Sequence, residues 1–308
     1  MTVLLKHLLQ QAPVLKALLH TFRAAQQQRK STEPARIPPT PGDIISQTLK
    51  PRSNALISDF IKHVGGTPKQ YQSTVPAYLF PQWTFGLASQ LLIGLPYPLM
   101  RIVNGGCRLE VNQHVPRDEE LLITAQLTNI DDNGRRAVMT QQLITGTKSA
   151  SQAIDARMYA IVPLGRKDAP TNKKKKEKAR VPDDAKLLTE WRLQKNAGLQ
   201  FAALTGDFNP IHWIPAAARA NGFKNTILHG FSTMARSIEG IKTHHLLDGG
   251  TLRWIDVQFT RPLVLPCKVG LFIRITDTEH HVYVGDAAGG PAYMTGTFEV
   301  AQHGQPGL

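Results

Sequence analysis

At 308 residues the chain is long enough for one large domain or for two of about 150 residues each. Hydrophobic residues make up 42% and charged ones 19%; no run of about 18 apolar residues could span a bilayer as a helix, so a soluble or peripheral protein is expected. The net charge of +13 favours acidic partners without choosing among them. The two cysteines, Cys107 and Cys267, lie far apart in strand-like segments, which argues against a disulfide framework or zinc knuckle and makes a reducing cytoplasm the expected compartment.

Residues 1–28 place Leu4, Leu5, Leu8, Leu9, Val14, Leu15, Leu18 and Leu19 at helical intervals with Lys6, Lys16 and Arg23 between them. The spacing predicts an amphipathic helix pair broken near Pro13. Gln10, Gln11 and Lys16 interrupt any apolar run a secretory signal would need, so a helix docked on the protein's own body, or solvated, is favoured over a membrane-surface or targeting helix. The stretch EPARIPPTPGD closes this segment, 1–43, as a linker. Alternating strand patterns begin at about Ile44 and continue to a second compositional break, GRKDAPTNKKKKEKARVPDD. The cluster Lys173 to Lys178 within it lacks interleaved aromatics or a recognition helix, and a solvated connection is favoured over a nucleic-acid contact. The expected organisation is therefore 1–43, a first unit at 44–164, a basic linker at 165–184 and a second unit at 185–308.

The two units share a rhythm. CRLEVNQHVPRDEELLITAQLTNI from Cys107 resembles RWIDVQFTRPLVLPCKVGLFIRIT from Arg253: in each an alternating strand meets a Pro-containing turn and a second alternating strand. RRAVMTQQLIT and HHVYVGDAAGGPAYMTGTFEV then continue as antiparallel strands, with Asp131 to Gly134 as a hairpin turn. Each half reads as a helix followed by a strand meander, and duplication of one α+β unit is the economical account. The apolar series Tyr78 to Leu99 suits a core helix, and also the lining of a tunnel.

The richest stretch is TGDFNPIHWIPAAARANGFKNTILHGF, from Thr205 to Phe231. Pro210 biases Asn209 away from the helical region, so Asp207 and His212 fall on a bent loop and converge. A carboxylate and an imidazole around one water form a general acid/base pair at neutral pH, and Asn209 suits a bracing role through side-chain hydrogen bonds. Pro215 opens a short helix that stops at Asn221 to Phe223. A longer helix starting at Gly230 would aim free NH groups and a positive dipole end at the loop, a place for developing negative charge. Taken singly, an Asp is more often a cap, a Gly a turn and a His a structural residue. The adjacent pairs His244-His245 and His280-His281 lack the i, i+4 spacing of helical metal ligands, and no metal is expected.

The ordered string GDFNPIH, then GF, then ILHGF is similar to the signature of the MaoC-like dehydratases and (R)-specific enoyl-CoA hydratases. The resemblance covers about Lys186 to Val300 strongly and the first half through pattern only. It implies an α+β fold of two hotdog repeats, each an antiparallel sheet wrapped around a central helix, with the motif in the second. Carried over by position, Asp207 and His212 match the catalytic pair, Asn209 the loop-bracing residue and Gly230 the backbone NH that polarises the thioester carbonyl. His229 is expected to orient the loop. FTRPLVLP, from Phe259 to Pro266, resembles the strand pair after the helix. Ile214 stands where many members have an acidic or polar residue, Phe231 replaces the usual Met after His-Gly, and Pro266-Cys267 replaces the common Gly-Asp turn. The first half has no D-x-N-P-x-H counterpart; in two-repeat relatives such a half accommodates the acyl chain.

The resemblance implies reversible addition of water to trans-2-enoyl thioesters of fatty-acid metabolism, giving (R)-3-hydroxyacyl thioesters. No cofactor is needed beyond the coenzyme A or acyl carrier protein that carries the acyl group, and the positive charge suits either. Rival readings are a non-catalytic acyl-thioester-binding or scaffolding protein and a hotdog thioesterase. Whether the halves pack only within one chain or also across a homodimer stays open, as does a peripheral membrane contact through the N-terminal helix.

Overall fold

Alternation of apolar and polar residues dominates the chain and produces strands with one buried face. In Ile154–Pro163 every second side chain from Ile154 to Val162 is buried. The computed structural model describes residues 6, 7, 11, 36–98, 101–165, 178–244, 251–276 and 279–301. The helix pair expected over 1–28 lies outside these except at Lys6, His7 and Gln11, and the lysine cluster lies outside them except at Lys178.

The first half contains strand β1 (Ile45–Leu49), helix α1 (Asn54–His63), helix α2 (Pro81–Gln90) and strands β2 (Val103–Val111), β3 (Leu121–Asp132), β4 (Arg136–Gly146) and β5 (Ile154–Pro163). The second half repeats the plan with β6 (Lys186–Leu193), α3 (Ala197–Thr205), a short α4 (Pro215–Ala220), α5 (Gly230–Thr243) and β7 (Thr251–Phe259), β8 (Cys267–Ile275), β9 (His280–Gly285) and β10 (Ala292–Ala301). Among the described residues no helix is long and apolar enough to cross a membrane.

These ten strands form one antiparallel sheet in the order β1-β3-β4-β5-β2-β7-β10-β9-β8-β6, and the short strands Thr74–Val75 and Val115–Pro116 pair separately. Read inward from either edge, each half runs first, third, fourth, fifth, second strand. The halves are thus two copies of one hotdog topology joined through β2 and β7, where Cys107 faces Val257 and Leu109 faces Ile255. The two stretches with the shared rhythm are the β2–β3 and β7–β8 pairs. The hairpin expected at Asp131 to Gly134 joins β3 to β4, with Gly134 at a φ of 77°.

The central helices are α2, which packs on β1, β3 and β4, and α5, which packs on β6 and β9. One contiguous core crosses both halves and includes Phe60, Phe80, Leu109, Phe201, Met234 and Ile255. Tyr78 and Trp83, from the apolar series beginning at Tyr78, are buried in it. The N-terminal ends of the central helices meet edge to face through Phe80 and Phe231, with ring centroids 5.4 Å apart. A polar tie accompanies this contact: the hydroxyls of Tyr71 and Tyr78, from the first half, both donate to Oε1 of Glu239 on α5. Glu239 is 1% exposed, and the Lys242 ammonium sits 3.8 Å from the centre of the Tyr71 ring.

The end of the basic stretch is docked on the second half. Val181 is buried, its NH donates to Gly290 O at 2.9 Å, and its carbonyl accepts from Gly289 N at 2.9 Å. The described N-terminal residues are also docked: His7 and Gln11 are fully buried, and both Lys6 Nζ and His7 Nε2 lie 2.8 Å from Asp59 Oδ2 on α1.

Candidate active site

The site is built between the end of α3 and the start of α5. α3 is apolar and buried almost all round, and it ends where Gly206 adopts a φ of 85°, a left-handed conformation that costs glycine little. The Gly206 NH donates to Ala202 O at 2.7 Å, which closes the helix and turns Asp207 out of it.

From Asp207 the chain folds back on itself as the Pro210 argument requires. Asp207 Oδ1 accepts from Asn209 N at 3.3 Å, and Asn209 Oδ1 accepts from Ile211 N at 3.3 Å, capping a single 3-10 turn over Pro210–His212. Trp213 Nε1 donates to Phe208 O at 3.1 Å and ties the loop across its base. Gly198 of α3 lies against the His212 backbone so closely that a Cβ there would stand 2.1 Å from the His212 carbonyl oxygen.

His212 is 9% exposed and its ring is oriented by Nδ1–H donating to Ile227 O at 2.8 Å. This bond leaves Nε2 as the basic nitrogen. Ile227 is itself fixed, since its NH donates to Ile211 O at 3.2 Å and Leu228 N donates to Leu263 O at 2.8 Å. The ring of His229 stacks on that of His212 with centroids 3.6 Å apart, and His229 Nε2–H donates to Asp207 O at 3.0 Å. The same nitrogen is 3.9 Å from Asp207 Oδ2.

Burial drives the electrostatics. It raises the Asp207 carboxyl above its ordinary range, against the pull of His212 and of the Asn209 NH. Burial lowers His212, against Asp207 and the Ile227 carbonyl. His229 is pushed well below the usual imidazole range by burial and by His212, so it is a neutral ring that holds the loop. The proton affinities of Asp207 and His212 are thereby drawn together, which suits a pair that passes one proton back and forth.

α5 begins at Gly230, immediately after His229, and no side chain caps its N-terminus. Its positive dipole end therefore starts one residue from the stacked imidazoles. Gly230 packs under Phe259, whose ring carbons would stand 2.4 to 2.7 Å from a Cβ at this position. Ligand atoms of Asp207, His212 and His229 lie within 4.8 Å of one another. The two imidazoles are stacked only 23° from parallel, so their in-plane lone pairs do not converge on one point, and the set fits a proton-handling site better than a metal centre.

Asp207, Asn209, His212, His229 and Gly230 thus come together as one site. Ile214 precedes α4 without a side-chain capping bond, and Phe231 fills the contact with Phe80. Three contributors escape a reading of the motif alone: Gly198, Ile227 through its carbonyl, and Phe201, whose ring packs 4.9 Å from His229. Only Phe201, an aromatic on an apolar segment, carries a sequence signal, and that signal says no more than core.

Residues 171–282 match the model of the MaoC like domain. The chain is 26% identical over 191 residues to a probable enoyl-CoA hydratase 2 of Dictyostelium discoideum, covering 59% of this chain and 64% of that protein. It is 31% identical over 121 residues to 3-hydroxyacyl-thioester dehydratase X of Mycobacterium tuberculosis, covering 39% of this chain and 41% of that protein. The chain thus spans less than two thirds of the length of either relative. By fold it resembles the crystal structure of HtdX of Mycobacterium tuberculosis, with a TM-score of 0.67, 18% identity and coverage of 84% of this chain and 100% of that one. A second Mycobacterium tuberculosis structure, described as a double hotdog fold, aligns with a TM-score of 0.55 at 12% identity, covering 86% of this chain and 97% of that one. The chain thus has a double hotdog fold, and the loop from Asp207 to Gly230 lies wholly within the residues that are similar to the MaoC like domain.

Proposed function

We propose that the protein adds water reversibly across the double bond of trans-2-enoyl thioesters to give (R)-3-hydroxyacyl thioesters. The observation that carries the reading is the Asp207–His212 pair, with His212 Nε2 left basic by the bond from Nδ1 to Ile227 O. The named activities of the relatives, an enoyl-CoA hydratase and a 3-hydroxyacyl-thioester dehydratase, support it.

A water held between the Asp207 carboxylate and His212 Nε2 attacks the β carbon. Its oxygen forms the new C–O bond, its proton passes to the pair, and the π electrons move onto the thioester oxygen as an enolate. The pair returns the proton to the α carbon and regains its starting state, so no redox cofactor or metal enters the balance. The Gly230 NH, at the positive end of α5, stabilises the enolate oxygen; such a donor contributes roughly 3 to 4 kcal/mol to lowering the barrier. The acyl group arrives on coenzyme A or acyl carrier protein, to whose phosphates or acidic surface the net positive charge is suited. We further propose a reducing, cytoplasmic setting, compatible with both cysteines being free thiols. A homodimer and a membrane contact are tested by light scattering and vesicle flotation.

The decisive experiment follows the enoyl-thioester absorbance with crotonyl-CoA and a longer trans-2-enoyl-CoA, with Asp207→Asn and His212→Ala alongside. Wild-type turnover that falls at least about a hundredfold in both variants supports the assignment. Turnover that survives either change, or release of free thiol instead of hydration, overturns it. Incubation with a chelator should leave the rate unchanged.

A further inference from the structure

Gln11 lies in the N-terminal segment, 192 residues from Ala203, whose carbonyl it touches. Its side chain is fully buried. Nε2 donates to Ala203 O at 3.1 Å and to Leu204 O at 3.2 Å, and Oε1 accepts from Gln82 Nε2 at 3.3 Å. Ala203 and Leu204 belong to the last turn of α3, whose carbonyls have no partner within the helix. Gln82 belongs to α2, the central helix of the other half. One amide therefore joins the N-terminal segment, the first hotdog and the helix end from which Asp207 emerges.

We infer that Gln11 is a positioning residue for the active site, which caps the C-terminal end of α3 from a distant part of the same chain and so sets both the place and the electrostatic surroundings of Asp207. This rests on the hydratase reading for its kinetic consequence, but not for its structural one.

Two physical consequences follow. Helix ends whose carbonyls are buried without a donor relax toward other partners, and here the freed segment is the one that leads through Gly206 into the catalytic loop. The C-terminal end of a helix also carries roughly half a negative charge. The Gln11 amide offsets that charge within a few residues of the Asp207 carboxylate. Removing the amide disfavours ionised Asp207, so the acid limb of the rate profile moves to higher pH. The titratable groups that face Asp207 are His212 on its own loop and His229 ahead of α5, with His63 of α1 on the far side of Phe201. None of these side chains is changed by a substitution at position 11.

The test compares wild type with Gln11→Met, which keeps the length and removes the amide, and Gln11→Asn, which keeps an amide on a side chain one carbon shorter. Lys6→Ala is the control, since Lys6 is half exposed and, among the described residues, pairs with Asp59 alone. We expect kcat to fall roughly tenfold in Gln11→Met with KM nearly unchanged, the acid limb of kcat/KM to move up in pH, and amide exchange across 204–212 to quicken. Gln11→Asn should lie between, and Lys6→Ala should match wild type. A lower melting temperature with kcat, acid limb and exchange all unchanged would make Gln11 a stability residue only and overturn the inference. Wild type inactive on every thioester would refute the hydratase instead, and exchange across 204–212 would still decide the role of Gln11.

Discussion

Gly198→Ala sets two physical effects against each other. Gly198 is the second residue of α3, and by helix propensity alone alanine there gains about 1 kcal/mol. The contact with the Pro210–His212 turn argues the opposite. A Cβ at this position stands 2.1 Å from the His212 oxygen, 3.0 Å from its carbonyl carbon and 3.4 Å from its Cβ, whereas ordinary contacts begin at 3.4 Å. The clash is with backbone, so no side-chain rotation relieves it. α3 cannot retreat, because Phe201, Ala202, Ala203 and Leu204 are buried behind it. The Pro210–His212 turn must move by about 1 Å, a displacement that can cost roughly a hundredfold in rate. Overpacking of this kind costs about 1–3 kcal/mol, so the net stability loss is about 1 kcal/mol, or a few degrees of melting temperature. The assay is kcat with crotonyl-CoA beside a thermal melt. Gly222→Ala is the control: its φ of 84° is strained for alanine but no atom lies within 4 Å, so stability should fall and kcat should not. A Gly198→Ala enzyme with wild-type kcat would refute the argument that this glycine sets the position of His212.

Acid should destabilise the fold through its buried histidines. His63, lowered to about 3 by burial and by Arg236, and His229 are neutral when folded. Their contribution is complete above the unfolded histidine value of about 6.5 and is lost as pH falls below it, at about 1.4 kcal/mol per pH unit for each. Asp207 has the opposite sign: its raised value favours the folded state below about 3.8, and that support is lost as pH rises through its folded value. Urea midpoints that stay flat between about pH 7 and pH 5 would contradict the histidine assignment. At the tie between the halves, Tyr78→Phe removes one of the two hydroxyls that donate to the buried Glu239 among the described residues and should cost about 1–3 kcal/mol in urea unfolding; wild-type stability would count against the tie. Phe231→Met, which removes the edge-to-face contact with Phe80, should cost about 0.5–1.5 kcal/mol beyond any change in buried area, read as a double-mutant cycle with Phe80→Leu. A cycle that closes at zero would show that the rings merely fill space.

The parts of the fold legible in the sequence are those where a local rule decides the outcome. Pro215, Asn221 and Gly230 mark the ends of α4 and α5 because helix ends have their own side-chain preferences. The turn at Asp131 to Gly134 and the β2–β3 and β7–β8 likeness follow from period-two alternation. α3 was illegible for the converse reason: buried on nearly every side, it shows no polar face from which a period could be read. The site divides in the same way. The Asp207, Asn209 and His212 string is local and dense, but the Ile227 carbonyl that orients His212 and the Gln11 amide that closes α3 are long-range partners. A backbone carbonyl has no residue type, and a glutamine has no preferred acceptor, so neither announces itself in one chain.

The seam between β2 and β7 has a consequence for how the molecule behaves on dilution. Two hotdog units held on one polypeptide meet by an intramolecular step, at an effective concentration set by the connection and not by how much protein is present. The juxtaposition of Tyr71 and Tyr78 with Glu239, and of Gln82 with the helix end behind Asp207, therefore persists in a single molecule. Covalent linkage also releases the two copies from having to be alike. One can keep the acid/base loop while the other drifts toward holding and bracing, a division of labour that a symmetric pair of identical chains does not permit.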